Sequence, residues 1–319
     1  MRLPKINALT VSAKTVRRVA ECLLAEETET RKGLGALAEV SGATAGKIVR
    51  AFVDAGVVEE YPLLAELGRR PSGIRLRDNF AAWGILRMEE RGCSLITVSW
   101  KGDLLREERF FYDDAMSPEE NEARLRGRWH ECKAELERRY FAMGFGMITR
   151  ESGIPHWKEA LLEGIGREVD FIDEERALTA KALAREGDGI TTLHVRMERE
   201  TRALFVMGNT WREMTVDTTV EKRGERLTEW LMNAARLILI DTVAAESHGR
   251  HEGEAERFLR RLSREWEKRS SRPMPKLLYS QPLTFAEAEA VHELNRILAR
   301  KIGDAVGQAE SSIAKTHKI

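Results

Sequence analysis

Cysteine is scarce in this 319-residue chain: Cys22, Cys93 and Cys132 are the three present. No two of them have the Cys-x-x-Cys spacing of a zinc or redox site. A disulfide framework needs paired cysteines and an oxidising compartment, so these read as reduced thiols of a cytosolic protein. Long apolar runs are missing too. The longest in the C-terminal half, Leu237–Ile240, falls far short of the roughly 20 residues that span a bilayer. Residues 1–10 contain no apolar leader core with a small-residue cleavage site, and a cytoplasmic location is expected. Nor is there an excess of one charge, because 52 Lys and Arg balance 52 Asp and Glu. That excludes a uniformly basic nucleic-acid coat. Any DNA contact has to rest on a local basic face, and residues 1–80 hold thirteen basic against ten acidic side chains. The sequence contains no internal repeat and no low-complexity tract.

What is present is a globular composition: 42% hydrophobic and 33% charged residues, enough apolar material for a packed core. At about 100–200 residues per domain the length implies two or three domains. A first helix is predicted from about Ser12 to Glu27, with Val16, Val19, Ala20, Leu23 and Leu24 at helical spacing and Ser12 as N-cap. A short second helix follows Thr30, opening with Arg31-Lys32 and placing Leu34 and Leu37 on one face. A third begins at Ser41, whose hydroxyl can accept from the first-turn amides. It buries Ile48, Val49, Phe52 and Val53 and stops at Asp54-Ala55-Gly56, where Gly56 suits a left-handed C-cap. Two extended stretches, Val57–Glu60 and Ile74–Arg77, flank a loop ending Gly68-Arg69-Arg70-Pro71-Ser72-Gly73. Three helices followed by a hairpin is the order of a winged helix.

From Phe80 onward the apolar period changes to two. Strands are predicted at Ala82–Met88, Cys93–Trp100 and Leu104–Tyr112. The helix Ser117–Arg139 comes next, its start marked by Ser117-Pro118-Glu119-Glu120. Then come a strand (Phe141–Ile148), a helix (Pro155–Glu163), a strand (Val169–Ile172), a helix (Glu174–Glu186) and strands at Thr191–Arg196, Arg202–Met207 and Trp211–Val216. Helices are predicted at Glu225–Ala245, Glu254–Lys268 and Phe285–Val306, with a strand at Leu277–Ser280. Three strands followed by alternating helices and strands indicate an α/β domain. The predicted organisation is a DNA-binding domain over residues 1–80 and an α/β domain over residues 81–319.

The strongest local signal is Thr30–Val58. In a helix-turn-helix the second helix lies across the first and sends its N-terminal residues into the major groove. Gly42, Ala43, Ala45 and Gly46 are small enough for close approach to DNA, Thr44 and Lys47 are the base- or phosphate-facing groups, and Arg50 lies one turn on toward a phosphate. With Thr30, Arg31 and Ser41 these form the candidate DNA-binding set. The Gly68-Arg69-Arg70-Pro71 turn adds two arginines suited to a narrow, A·T-rich minor groove. Read blandly, the same residues are a three-helix bundle that binds protein, with a solvated basic turn.

Thr30–Val58, the Gly68–Pro71 loop, and Ile74-Arg75-Leu76 running into three strands resemble repressors of the ROK family (repressor, open reading frame, kinase). The resemblance implies a winged helix-turn-helix fused to an actin-like, ribonuclease H-like domain of sugar-kinase type. It further implies a homodimer or dimer of dimers on a palindromic DNA operator, and a sugar-type effector. The sequence also departs from the family. Where sugar-binding members carry an Asn-Asp pair, Val169–Ala177 places Asp173 and Glu174, the candidate effector residues. The glycine-rich turn after the next strand is replaced by Glu198-Arg199-Glu200-Thr201-Arg202, whose side chains keep backbone amides from a phosphate. The zinc motif, its adjacent Glu and His, and the phosphate-binding Asp-Gly-Gly-Thr, replaced at Trp83-Gly84-Ile85, are absent. The expectation is therefore a transcription regulator, a repressor with a degenerate sensor domain, without enzymatic activity, cofactor or metal. The alternatives are a sugar kinase with an accessory winged helix and a protein-interaction module that does not bind DNA. His130, His156, His194, His248 and His251 read as scattered surface residues, Asp173-Glu174-Glu175 as an ordinary acidic helix start, and Trp129, Trp157 and Trp211 as core or interface.

Overall fold

The computed structural model describes residues 1–3, 11–25, 29–63, 72–89, 92–113, 115–149, 165, 168–186, 191–197, 201–207, 210–216, 223–247, 253–280 and 282–316. They fall into two compact units: Met1–Asp173 with Ala290–Ile319, and Glu174–Glu289.

The first unit opens with α1 (Ala13–Ala25), which buries Val16, Val19, Ala20 and Leu23. It continues with β1 (Glu29–Thr30), α2 (Arg31–Leu37), α3 (Gly42–Asp54), β2 (Val58–Pro62) and β3 (Ser72–Leu76). The last two form an antiparallel hairpin with Val58 opposite Leu76 and Pro62 opposite Ser72. The two-residue β1, which the sequence did not announce, pairs with the other side of β3 to give the order β1-β3-β2. Gly73 is opposite Tyr61, and a side chain on Gly73 would start 2.3 Å from the Tyr61 ring. The glycine makes room for an aromatic that covers the hairpin.

A five-stranded sheet follows, built from β4 (Ala81–Glu89), β5 (Gly92–Ser99), β6 (Leu104–Phe111), β7 (Ala142–Thr149) and β8 (Phe171–Glu174) in the order β6-β5-β4-β7-β8. Helix α4 (Pro118–Arg139) carries the chain from β6 to β7, and β7 runs parallel to β4. Its start is the predicted one. The Ser117 side chain accepts from the Glu120 amide, and the Glu120 carboxylate accepts from the Ser117 amide. Leu125, Trp129 and Leu136 of α4 pack on Leu86, Leu95, Phe145 and Met147. The predicted helix Pro155–Glu163, with His156 and Trp157, lies outside the described residues.

The second unit holds α5 (Glu175–Glu186), β9 (Thr191–Met197), β10 (Thr201–Met207), β11 (Thr210–Val216), α6 (Arg223–Leu237), β12 (Thr242–Ser247), α7 (Glu254–Arg269) and β13 (Lys276–Tyr279). Its sheet runs β11-β10-β9-β12-β13, the same succession as in the first unit: third, second, first, fourth, fifth. This doubling of a mixed α/β layer is topological, and the sequence shows no repeat. One predicted element is corrected here. The helix expected over Glu225–Ala245 ends at Leu237, and Thr242–Ser247 forms a strand parallel to both β9 and β13. Every residue of β12 is buried, as for a strand covered on both faces, which gives no alternating pattern to read. The C-terminal α8 (Phe285–Thr316) extends beyond the predicted Val306, and its residues from Ala290 belong to the first unit. Among the described residues no helix is long and apolar enough to cross a membrane.

Candidate nucleic-acid interface

Thr30 and Ser41 set the two helix starts. The Thr30 hydroxyl accepts from the Gly33 amide at 3.0 Å, and the Ser41 hydroxyl accepts from the Thr44 amide at 3.2 Å. Each satisfies one donor that the first helical turn leaves without a partner. Between them, Ala38 and Val40 donate to the Leu34 and Gly35 carbonyls, and Glu39 takes a left-handed conformation (φ 50°). Non-glycine residues reach this region only at a cost. Here an ion pair from Arg18 of α1 holds the Glu39 carboxylate. Gly35 lets the helices meet closely, since a side chain there would contact the Val40 carbonyl oxygen at 3.3 Å.

α3 is divided lengthwise. Ala45, Ile48, Val49, Ala51 and Phe52 are buried, whereas Ala43, Lys47 and Arg50 are exposed. Gly42 and Gly46 face open space. The predicted contact residues therefore share one outward stripe at helical spacing. Lys47 and Arg50 make no ion pair with any described residue. Thr44 is half-buried and shares a 2.9 Å hydrogen bond with the Ser41 hydroxyl. Arg31 is exposed but paired with Glu60, so part of its charge is already answered. Gly56 has the expected left-handed geometry (φ 72°). Gly68, Arg69 and Arg70 lie outside the described residues.

The sequence reading passed over the hairpin's own cation. Arg75 on β3 pairs with Glu59 at 2.6 Å and lies over the Tyr61 ring, 5.3 Å from its centroid. The hydrogen bond that Arg75 donates to Glu59, and the Glu59 charge, raise the guanidinium pKa further above its ordinary value. The signal was available, because Tyr61, Gly73 and Arg75 sit at alternate positions of two pairing segments.

Of the candidate effector residues, Asp173 belongs to the first unit and Glu174 to the second. Asp173 is half-buried, with its carbonyl oxygen accepting from the Thr149 hydroxyl at 3.4 Å, and Glu174 is exposed. Glu198, Arg199 and Glu200 lie outside the described residues, as do His248 and His251. In the Trp83-Gly84-Ile85 segment, Gly84 is opposite Phe145, and a side chain on Gly84 would start 2.4 Å from the Phe145 ring. Trp83 is fully buried and donates to Asn295 at 3.0 Å. Among the described residues no His, Cys, Asp or Glu group is arranged to hold a metal ion.

Two features of the second unit escaped sequence reasoning. His194, expected at the surface, is buried beside Glu246 at 3.3 Å. Arg196 donates to the same Glu246 oxygen at 2.7 and 2.6 Å and to Glu175 at 2.7 Å. The other Glu246 oxygen accepts from the Phe285 amide at 3.0 Å. Charged residues inside otherwise apolar strands were the available sign. Separately, a polar groove of about 850 Å³ runs along α6 and α7, lined among others by Arg223, Arg257, Arg261, Arg264 and Lys268. The last four recur at helical spacing along one face of α7.

No protein-family model matches this chain, and no curated protein matches it by sequence. Solved structures do. A ROK family transcriptional regulator, a homologue of the E. coli MLC protein, is 12% identical over 91% of this chain and 98% of that one, with a TM-score of 0.57. A Bacteroides thetaiotaomicron protein with an actin-like ATPase fold is 9% identical over 66% and 95%, with a TM-score of 0.41. A ROK hexokinase from Thermus thermophilus is 13% identical over 68% and 97%, with a TM-score of 0.40. The first of these shows that the chain shares the fold of a ROK protein over nearly its whole length.

Proposed function

We propose that this chain is a sequence-specific DNA-binding transcription regulator, a repressor of ROK type whose sensor region has lost kinase chemistry. Residues 1–80 act as a winged helix-turn-helix, and residues 81–319 as the actin-like effector and oligomerisation part. The observation that carries this reading is the outward stripe of α3. Ala43, Gly46, Lys47 and Arg50 leave a smooth, cationic helix surface behind a Ser41-capped N-terminus, and a hairpin follows directly. Small residues permit close approach to base edges, while lysine and arginine supply phosphate contacts. Arg69 and Arg70, on the connection between β2 and β3, are assigned to the adjacent minor groove. The regulator named above carries a related function in a similar fold. The protein works in the cytoplasm as a homodimer or dimer of dimers on a palindromic operator, and a sugar-type effector contacts Asp173 and Glu174.

The kinase alternative is disfavoured by chemistry. Phosphoryl transfer works through positioning and charge neutralisation around the phosphates. Here the glycine of the first strand faces an aromatic ring, and the second turn carries Glu198, Arg199 and Glu200. The deciding experiment is selection of bound fragments from genomic DNA at several salt concentrations, followed by sequencing. A recurring motif with a steep salt dependence is the expected result. Recovery of no enriched motif would sink the reading and favour a protein-interaction module.

A further inference from the structure

Cations around the outward stripe of α3 stand in two states. Lys47 and Arg50 are exposed and make no ion pair with any described residue. Arg31, at the start of α2, and Arg75, on β3, are exposed too, but a carboxylate of β2 holds each of them. Glu60 takes Arg31, and Glu59 takes Arg75 at 2.6 Å. In the hairpin register Glu59 stands opposite Arg75 and Glu60 opposite Ile74. Successive strand residues point to opposite faces. Glu59 therefore serves the face of Tyr61 and Arg75, and Glu60 the face from which Arg31 is reached.

Folding gives little reason for these acids. Exposed ion pairs contribute about 0–1 kcal/mol to stability. Beside DNA a carboxylate has a larger effect. Sequence-independent attraction comes from lysine and arginine neutralising phosphates. An arginine already held by a carboxylate adds less to that attraction, and the carboxylate repels phosphates within a screening length of about 10 Å at 0.1 M salt.

We propose that Glu59 and Glu60 are selectivity residues of the DNA-binding domain. They hold Arg75 and Arg31 away from phosphates and keep sequence-independent binding weak, which leaves the bare Lys47 and Arg50 to decide where the protein stays. This inference rests on the DNA-binding reading above and assigns Arg31, placed by its sequence in the contact set, a withheld charge. The two pairs are unequal. Arg75 also lies over the Tyr61 ring, 5.3 Å from its centroid, and that ring is seated against Gly73. Without Glu59 the ring still holds Arg75. Arg31 has Glu60 as its one ion-pair partner among the described residues, so Glu60 has the larger effect. The effect also depends on the DNA. A protein on random sequence shifts along the duplex until a released cation meets a phosphate, whereas base contacts fix its register on the operator.

The test is fluorescence anisotropy of the full chain on a random-sequence duplex and on the selected operator, between about 0.05 and 0.2 M salt. E60Q should bind random duplex more tightly, with a salt slope steeper by about 0.9, so that its gain grows about threefold toward low salt. E59Q should act in the same direction and less. Operator affinity should rise less than random-duplex affinity, and the ratio of the two should fall. Adding R31Q to E60Q should remove the gain on random duplex. A gain that survives in this double variant would show general charge repulsion instead of a released arginine, and would overturn the proposal. So would E60Q that keeps the parental circular dichroism and binds random duplex like the parent, while the parent binds its operator; DNA binding itself would then stand. A parent with no affinity for either duplex would overturn the DNA-binding reading, and this inference with it.

Discussion

A side chain on Gly303 of α8 would begin 2.7 Å from the carbonyl oxygen of Ala13 at the start of α1, and 2.9 Å from the Arg17 Cβ. The C-terminal helix therefore rests directly on the backbone of the N-terminal one. One residue earlier, Ile302 reaches an apolar gap lined by Leu23, Phe52, Leu76 and Phe80, so α8 completes the core beneath α1, α3 and the β2–β3 hairpin.

This contact predicts opposite outcomes for two glycines in helices. Alanine in place of an unconstrained helical glycine gains about 0.5–1 kcal/mol. Gly127 on α4 faces open space, so Gly127→Ala should raise the melting temperature. Gly303→Ala should lower it, because a backbone oxygen at 2.7 Å cannot give way cheaply. Gly303→Leu should cost about 1–3 kcal/mol. Equal effects of the two alanine substitutions in thermal unfolding would refute the close contact.

Lys47→Ala and Arg50→Ala should weaken DNA binding without altering the fold, because both side chains point away from the core. A phosphate-contacting residue should reduce the salt slope by about one unit, and a base-contacting one should relax sequence preference. Substituting Arg69 and Arg70 should reduce the preference for A·T-rich flanks more than non-specific binding. Fluorescence anisotropy on the selected operator is the measurement, and parental affinity in both α3 variants would remove α3 from the interface.

Arg196→Met should be severe. It leaves Glu246, fully buried, and Glu175, nearly so, without the guanidinium they share. Breaking a buried pair from one side costs about 3–5 kcal/mol. Replacing all three residues with apolar groups should recover much of that loss. Urea unfolding of the single and triple variants distinguishes the two effects.

Glu168 predicts a pH dependence. Burial pushes its carboxyl pKa up, but hydrogen bonds from Trp129 (3.2 Å) and Lys133 (3.1 Å) outweigh this and hold it below the usual glutamate range. The folded state therefore binds this proton less readily than the unfolded chain. The resulting stability is fully present above the ordinary glutamate pKa of about 4.3 and fades as pH falls through the lower folded value. Glu168→Gln should be less stable than the parent at neutral pH, and the gap should close in acid. A gap that widens on acidification would reverse the assigned sign.

Hexose phosphorylation should stay at background in a coupled ATPase assay, and the purified protein should lack stoichiometric zinc. Structural zinc needs four ligands, commonly a cysteine-rich cluster; Cys22, Cys93 and Cys132 form no disulfide and lie far apart in sequence, and burial raises the pKa of the Cys132 thiol. Turnover above background would show that Glu174 still serves a working site.

Local chemistry made the N-terminal third legible in the sequence. Ser41 caps α3 as expected, α2 starts where expected after Thr30, Gly56 ends α3 in the left-handed region, and the Ser117–Glu120 box starts α4. These depend on bonds between residues a few positions apart, which sequence spacing records directly. Tertiary structure alone decided the rest. No glycine or proline separates Leu237 from Thr242–Ser247, which reads as the end of a helix, yet it is a strand because β9 and β13 supply hydrogen-bonding edges on both sides. That Gly84 lies against an aromatic ring is decided only when β7 brings Phe145 beside it. His194 and Glu246 stand far apart in sequence, and their burial together follows from a sheet register that brings two distant strands side by side. Helix caps are contacts within one turn; strand pairing and buried charge are contacts between segments, fixed only when the whole sheet closes.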